Sequence, residues 1–315
     1  TYYYTLARDM GVDLMHDQMK PLGFGQITGI DILGESRGVL PSTEWKRTTY
    51  KKPEQQRWYS GETISLGIGQ GYNNFTMLQI AHAMGTVANN GLKMKPHLVR
   101  EVVDVETKAS TLVAKEPVAQ LPLLPENLEV IKKGMIGVNI EGTSATSFVG
   151  AQYVSAGKTG TAQVFTVKQN EKYNASNIDE RMRDHALFVA FAPADDPKVA
   201  LAMVVENAGF GAQNAAPIAR RVFDFVIMGQ YPSQEDIEAV QKGQATRPIG
   251  KPRAVASVPW PPKAAELAVE EPVTVASAAE KAASAAVKAA SAAGKPASAA
   301  AAPASGQKPA ANGAR

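Results

Sequence analysis

The sequence predicts an α/β domain in which an antiparallel sheet is covered by helices, followed by a tail with no fold of its own. Three observations carry this expectation. Residues 185–192 and 198–205 are apolar runs of strand length, joined by Ala194-Asp195-Asp196-Pro197, a turn signal. Residues 74–90 repeat apolar side chains at helical spacing, with Thr76 and Gln79 in capping-box positions. Beyond Tyr231 the character changes, and from about Gln244 Ala, Pro, Lys and Ser replace the large apolar residues that offset ordering entropy.

Residues 1–24 read as a helical segment, with Tyr3, Leu6, Ala7 and Met10 and then Leu14, Met15 and Met19 as its apolar positions. Gly11 is expected to break it in two. Thr1 invites comparison with hydrolases whose amino-terminal threonine is the nucleophile, but the helical text around it argues against that. Residues 25–45 form a glycine-rich connector. Gly67-Ile68-Gly69-Gln70-Gly71 lacks the spacing and the preceding strand of a dinucleotide fingerprint, so backbone packing is the better reading.

The helix over 74–90 should carry Met77, Ile80, Ala81, Met84, Val87 and Ala88 on its stripe, end at Gly91, and hold His82 as a packed or surface histidine. Residues 98–105 and 111–121 suggest a small exposed β excursion, and Pro125 starts a helix running to about Val138. Glu141-Gly142-Thr143 turns the chain toward a strand that begins near Lys158 and runs to about Val167. The polar residues 168–184 are read as a flap, since they exceed a tight hairpin. The runs at 185–192 and 198–205 are apolar on both faces, which predicts two central strands. A helix over 217–228, with Pro217 in its first turn and Gly229 after its end, packs back on them. These elements give a domain over residues 1–230 and a low-complexity tail over 231–315, expected to be largely disordered. Its Lys281, Lys288 and Lys295 recur with only alanines to bury, which is not a coiled coil.

Charge excludes one class of partner. From residue 231 onward ten Lys and Arg face seven Asp and Glu, while the preceding residues hold 23 of each, so the whole net charge of +3 sits in the tail. The folded part gives no electrostatic case for nucleic acid. With no cysteine, the chain has neither a thiol nucleophile nor a Cys-based metal site. It contains no apolar run of membrane-spanning length and no signal-like start, and it opens on Thr1, so a processed chain or fragment is expected, with any targeting segment outside it.

The chemistry is concentrated in residues 156–164. Alternating Thr161, Gln163 and Phe165 after Lys158-Thr159-Gly160 have the texture of a strand. Lys158 supplies a positive charge suited to a carboxylate and to a proton-shuttling hydroxyl. Thr159 and Thr161 place hydroxyls on one side of the strand. Gly160, without a Cβ, lets an extended peptide approach closely enough for main-chain hydrogen bonds.

Together with residues 28–31 and Glu35, Leu40-Pro41, Trp45, residues 67–71, Val87-Ala88-Asn89-Asn90-Gly91 and Pro96-His97-Leu98, this stretch resembles the class B penicillin-binding proteins. The resemblance covers residues 1–229. Tyr173-Asn174, residues 181–185, and Glu206-Asn207 with residues 209–211 are more similar to the elongation-specific branch than to the division-specific one. It implies the transpeptidase fold shared with serine β-lactamases, incomplete at its amino terminus. In that family a serine attacks a D-Ala-D-Ala stem peptide, releases D-alanine and passes the acyl group to an amine on a neighbouring stem; β-lactams acylate the same serine. The resemblance implies that Lys158 orients the terminal carboxylate and the hydroxyl network, that Thr159, Gly160 and Thr161 bind substrate, and that the Thr161 amide completes an oxyanion hole. The nucleophile motif Ser-Xaa-Xaa-Lys and the Ser-Xaa-Asn/Asp motif are expected upstream of Thr1, as are any metal ligands, so the chain alone is expected to be inactive. No cofactor is expected. The implied partners are peptidoglycan stem peptides, β-lactams and a glycan polymerase of the elongation machinery. The implied location is the inner membrane, through an anchor outside this chain, with the domain facing the periplasm. A D,D-carboxypeptidase, a β-lactamase and a non-catalytic penicillin sensor of the same fold stay open on these motifs.

Overall fold

The computed structural model describes residues 1–164, 174, 178–244 and 246–258. The Lys158 strand ends at Ala162, short of the described Gln163 and Val164; its expected continuation over 165–167, most of the flap over 168–184, and the tail beyond Val258 lie outside the described residues. Among the described residues no helix is long and apolar enough to cross a membrane.

Helix α1 (Tyr2–Met19) is kinked at Gly11, whose φ of 74° no helix accommodates. Its covered positions are Ala7 and Val12; Tyr3, Leu6 and Leu14 are exposed, so the expected apolar face is only partly used. Ala7 is buried because the helix over Ser60–Leu66 lies across it: a Cβ on Gly67, just after that helix, would come within 2.5 Å of the Ala7 methyl and 2.6 Å of the Tyr3 carbonyl oxygen. Gly67 therefore has the packing role read from the sequence.

The connector holds three short helices that the sequence did not reveal, α2 (Thr43–Thr49), α3 (Pro53–Gln56) and α4 (Ser60–Leu66). They are too short to show a period, and polar contacts fasten them. Ser42 accepts from the Trp45 amide at the head of α2. Lys46, 3% exposed, is ion-paired with Glu62 and lies 5.4 Å from each of the ring centres of Trp58, Tyr59 and Tyr72. Glu62 also accepts from the Tyr59 amide and the Tyr72 hydroxyl, both at 2.9 Å. Burial works to raise the Glu62 carboxyl, but these bonds and the Lys46 charge outweigh it and hold the group below its ordinary value. Burial and the same carboxylate push the Tyr72 hydroxyl up to about 12.

Helix α5 (Met77–Ala88) has the capping box read from the sequence, with Thr76 and Gln79 each accepting from the other's amide. Its buried positions are Gln79, Ala83, Thr86 and Ala88, one step round from the expected stripe. Gln79 can be buried because its side-chain amide donates to the carbonyls of Gln26 and Arg37 in the connector. Strands β1 (Leu92–Met94), β2 (Glu101–Val103), β3 (Ser110–Leu112) and β4 (Pro117–Gln120) pair as β1–β4 and β2–β3; the last three form the exposed excursion expected, while the half-buried β1 was not read from the sequence. Helix α6 (Pro125–Ile140) and the short α7 (Ala145–Phe148) lead to the main sheet.

That sheet is antiparallel in the order β5 (Ala156–Ala162), β6 (His185–Ala192), β7 (Val199–Val205). Strand β5 starts two residues before Lys158. Both apolar runs were expected to be central, but among the described residues only β6 is flanked on both sides; β7 is an edge whose apolar character reflects helix cover. One face, with Ala186, Phe188 and Ala190, packs on Phe148 of α7 and on the segment carrying α8 (Gly211–Asn214) and α9 (Ala216–Met228). The other, with Ala156, Phe191 and Ala200, meets Met84 and Ala88 of α5 and Met135 and Ile136 of α6.

The folded chain does not end at residue 230. Strand β8 (Gln230–Tyr231) pairs with β9 (Arg253–Ala254), and α10 (Gln234–Gln241) lies between them. The fastening is an ion pair. Asp236, fully buried, accepts two bonds from the Arg221 guanidinium of α9, at 2.8 and 2.7 Å, and one from the Ile249 amide. A boundary drawn from loss of apolar residues missed this segment because charge, rather than apolar area, docks it.

Two outcomes follow from these buried pairs. Glu62→Gln leaves Lys46 buried without a counter-charge and should cost about 3 kcal/mol in urea unfolding at neutral pH. Because the folded Glu62 carboxyl is depressed, its contribution is present above the unfolded carboxylate range and is lost as pH falls through the folded value. The gap between wild type and variant should therefore narrow as unfolding is repeated from about pH 7 down to about pH 3. Asp236→Ala should likewise cost about 3 kcal/mol, and limited proteolysis should then cut within residues 230–258 before the main sheet.

Candidate active site

Among the described residues β5 hydrogen-bonds to β6 alone, so one of its edges is open. In an antiparallel edge strand, alternate residues turn their N–H and C=O inward to the neighbour or outward. Gly160 is paired with Leu187, and a Cβ on Gly211 of α8 would collide with the carbonyl oxygens of both, which therefore lie between the strands. The outward residues are then Gly157 and, within the motif, the two threonines Thr159 and Thr161. The threonine carbonyls accept from side chains rather than from β6: Lys158 Nζ donates to Thr159 O at 2.6 Å, and Gln70 Nε2 to Thr161 O at 3.3 Å.

The alternation also sorts the side chains. Lys158 and Gly160 share the face of Ala156, whose end is covered by α5 and α6; Thr159 and Thr161 share the face of Gly157. Lys158 is exposed, and its ammonium donates to the backbone carbonyl of the next residue. Thr159 meets a hydroxyl, that of Thr143 at 2.8 Å. Gly160 tolerates less than open space, since a Cβ would lie 3.3 Å from that of Leu187. Packing demands glycine more strongly at Gly157, where a Cβ would come within 2.6 Å of the Phe188 ring.

Thr143 and Gln70 are the two neighbours of the strand that sequence reasoning passed over. Thr143 sits in the turn after α6, and buried hydrogen bonds fix that turn: Ser144 Oγ donates to Asn139 Oδ1 at 2.6 Å, and Asn139 Nδ2 to Ser155 Oγ at 2.8 Å. The signal for it was the Glu141-Gly142-Thr143 turn, read only as a reversal of the chain. Gln70 was read as part of a glycine-rich packing loop. At the far end of β5, where Ala162 faces His185, two more motifs meet: the Asn207 amide donates to His185 Nδ1 at 2.9 Å, and its side chain donates to the carbonyls of Arg181 and Arg183.

The spacing Ser-Xaa-Xaa-Lys, expected only outside the chain, does occur in it as Ser155-Ala156-Gly157-Lys158. It cannot serve as nucleophile and base. Extended backbone sends residues three apart to opposite faces, and Ser155 is buried, 4% exposed, and bonded to Asn139. A second match, Ser305-Gly306-Gln307-Lys308, lies outside the described residues. No group of three or more His, Asp or Glu fit to hold a metal occurs among the described residues. A cavity of about 240 Å³ behind α9 is lined by Arg220, Arg221, Asp224 and Asp236, whose charges pair with one another.

Comparison with known proteins identifies the family. The model of the penicillin binding protein transpeptidase domain matches residues 1–224. The peptidoglycan D,D-transpeptidase MrdA of Haemophilus influenzae is 41% identical over 237 residues, 75% of this chain and 36% of that protein. MrdA of Escherichia coli K12 is 40% identical over 231 residues, 73% of this chain and 36% of that protein. Among solved structures, Pseudomonas aeruginosa PBP2 in complex with WCK 5153 superposes with a TM-score of 0.57 at 37% identity, over 71% of this chain and 46% of that one. PBP2 of Helicobacter pylori in complex with MreC gives 0.57 at 26% identity, over 72% of this chain and 38% of that one. The chain spans little more than a third of the length of these curated relatives. With a family model matched over most of its length and PBP2 structures among its neighbours, the chain belongs to the penicillin-binding protein transpeptidase family as a PBP2-type member.

Proposed function

We propose that this chain is the carboxy-terminal part of the transpeptidase domain of a peptidoglycan D,D-transpeptidase that cross-links stem peptides through a serine acyl-enzyme during cell elongation. The observation that carries the reading is Lys158-Thr159-Gly160-Thr161 on a strand with an open edge, in a chain whose relatives are named peptidoglycan D,D-transpeptidases.

An extended stem peptide adds to that edge as a further strand, with main-chain bonds to Thr159 and Thr161. Lys158 then lies beside the carboxylate of the terminal D-alanine and draws the negative end of the peptide to the strand. The hydroxyls of Thr159 and Thr161 bind the same carboxylate, and the Thr143 hydroxyl orients that of Thr159. The outward amide of Thr161 receives the oxygen on which charge develops when the serine attacks, a stabilisation strongest in the transition state. The serine and its lysine base stand outside these residues, and the exposure of Lys158 accords with a site whose other wall is supplied by that part of the protein. β-Lactams enter by the same route because they present a carboxylate and an acylating carbonyl at similar spacing.

The partners are read by similarity. One relative structure is a complex of PBP2 with MreC, and another, 30% identical, is described as coordinating polymerisation and crosslinking in a peptidoglycan synthase complex. A glycan polymerase and a scaffold of the elongation machinery are accordingly the partners proposed here, with the domain on the periplasmic side of the inner membrane and the anchor outside these residues.

Labelled penicillin tests the reading directly. The 315-residue chain alone should form no stoichiometric covalent adduct, whereas the full-length protein should be acylated. In the full-length protein Lys158→Ala should slow acylation about 100-fold or more, the usual scale for losing a charge that acts on the transition state. A stoichiometric adduct on the isolated chain, or unchanged acylation of the Lys158 variant, would overturn it.

A further inference from the structure

Gln70 lies in a loop whose backbone is closely determined. Its amide donates to Ser65 O at 3.0 Å, the Gly69 amide to Leu66 O at 2.9 Å, and the Asn73 side chain also to Leu66 O. The glycines on either side have positive φ, 77° at Gly69 and 71° at Gly71, conformations that side-chain-bearing residues avoid. Gly67 presses the start of the loop against α1. A loop built this tightly presents one polar side chain in a fixed direction, and that side chain crosses 91 residues of sequence to reach Thr161 O on the open edge of β5.

The acceptor decides what the contact is for. Thr161 O is one of the outward carbonyls to which an added peptide strand would donate, and the same residue carries the outward amide assigned to the oxyanion. A carbonyl oxygen has two lone pairs, so it can accept from Gln70 and from one peptide N–H at once. Held from outside by Gln70, the end of the strand keeps its amide and carbonyl aimed at the edge without a pairing strand to fix them. We infer that Gln70 is a positioning residue for substrate backbone: its side-chain amide orients the Thr161 carbonyl so that an extended peptide docks in register on β5.

This rests on the transpeptidase reading above, and the experiment separates the two. In the full-length protein, the acylation rate by a fluorescent penicillin is measured against its concentration for wild type, Gln70→Ala and Gln70→Glu, with thermal unfolding of each. The expected loss for Gln70→Ala is about 3- to 10-fold in acylation efficiency, the worth of one neutral hydrogen bond. It should come from the half-saturating concentration, with the limiting rate and the unfolding temperature nearly unchanged. Gln70→Glu is close in shape and cannot donate when ionised, so it should match Gln70→Ala at about pH 8 and recover relative to wild type toward about pH 5, as the carboxyl takes up a proton. Wild-type efficiency in Gln70→Ala, or a Gln70→Glu deficit that does not change with pH, overturns the inference while leaving the transpeptidase reading intact. A wild-type protein that is not acylated overturns both.

Discussion

Among the described residues β5 pairs with a neighbour on one side only, and the site depends on this. A fully paired strand offers an incoming peptide nothing, and an open edge is otherwise a place for unwanted strand addition. Here two of the outward carbonyls accept from side chains, that of Thr159 from Lys158 and that of Thr161 from Gln70, without closing the edge. Under the proposed function the same carbonyls receive the incoming peptide, since what can be held by a side chain can also be held by a peptide N–H.

An open edge is useful only if the strand itself stays in place, and the interior packing ensures this. Phe188 and Phe191 of β6, both fully buried, point to opposite faces and meet different helices, which pins the register through the middle strand. Gly157 and Gly211 let the Phe188 ring and the α8 backbone come close to β5, and a methyl group at either position would push the strand away. On the other side of the site the buried Asn139, Ser144 and Ser155 network holds the turn that brings Thr143 to Thr159. Polar groups with every partner in place make a rigid wall where an apolar contact would allow sliding.

Away from the sheet, charge does the work that apolar area does inside it. Lys46 with Glu62 joins α2 to α4, and Arg221 with Asp236 docks the segment after α9. Both pairs have a partner on an element too short or too polar to bury much area. Each is stable only with both partners present, because a lone charge at these positions would be left without water.

Elements whose physics is local were legible in the sequence. The α5 capping box, the Pro125 helix start, the turn at residues 194–197 and the kink at Gly11 each depend on residues within one or two turns of chain, and the strand texture around Lys158 follows from alternation alone. Family membership was legible too, through the joint spacing of several motifs. What the tertiary structure alone decided depends on partners far apart in sequence: that β5 is an edge and β7 another, that the chain stays folded past residue 231, and that Thr143 and Gln70 stand beside the strand. A hydrophobic pattern records which residues avoid water, not which distant donor meets which acceptor. Hydrogen bonds and ion pairs between remote residues leave no period in the chain, so folding had to bring them together before they could be seen.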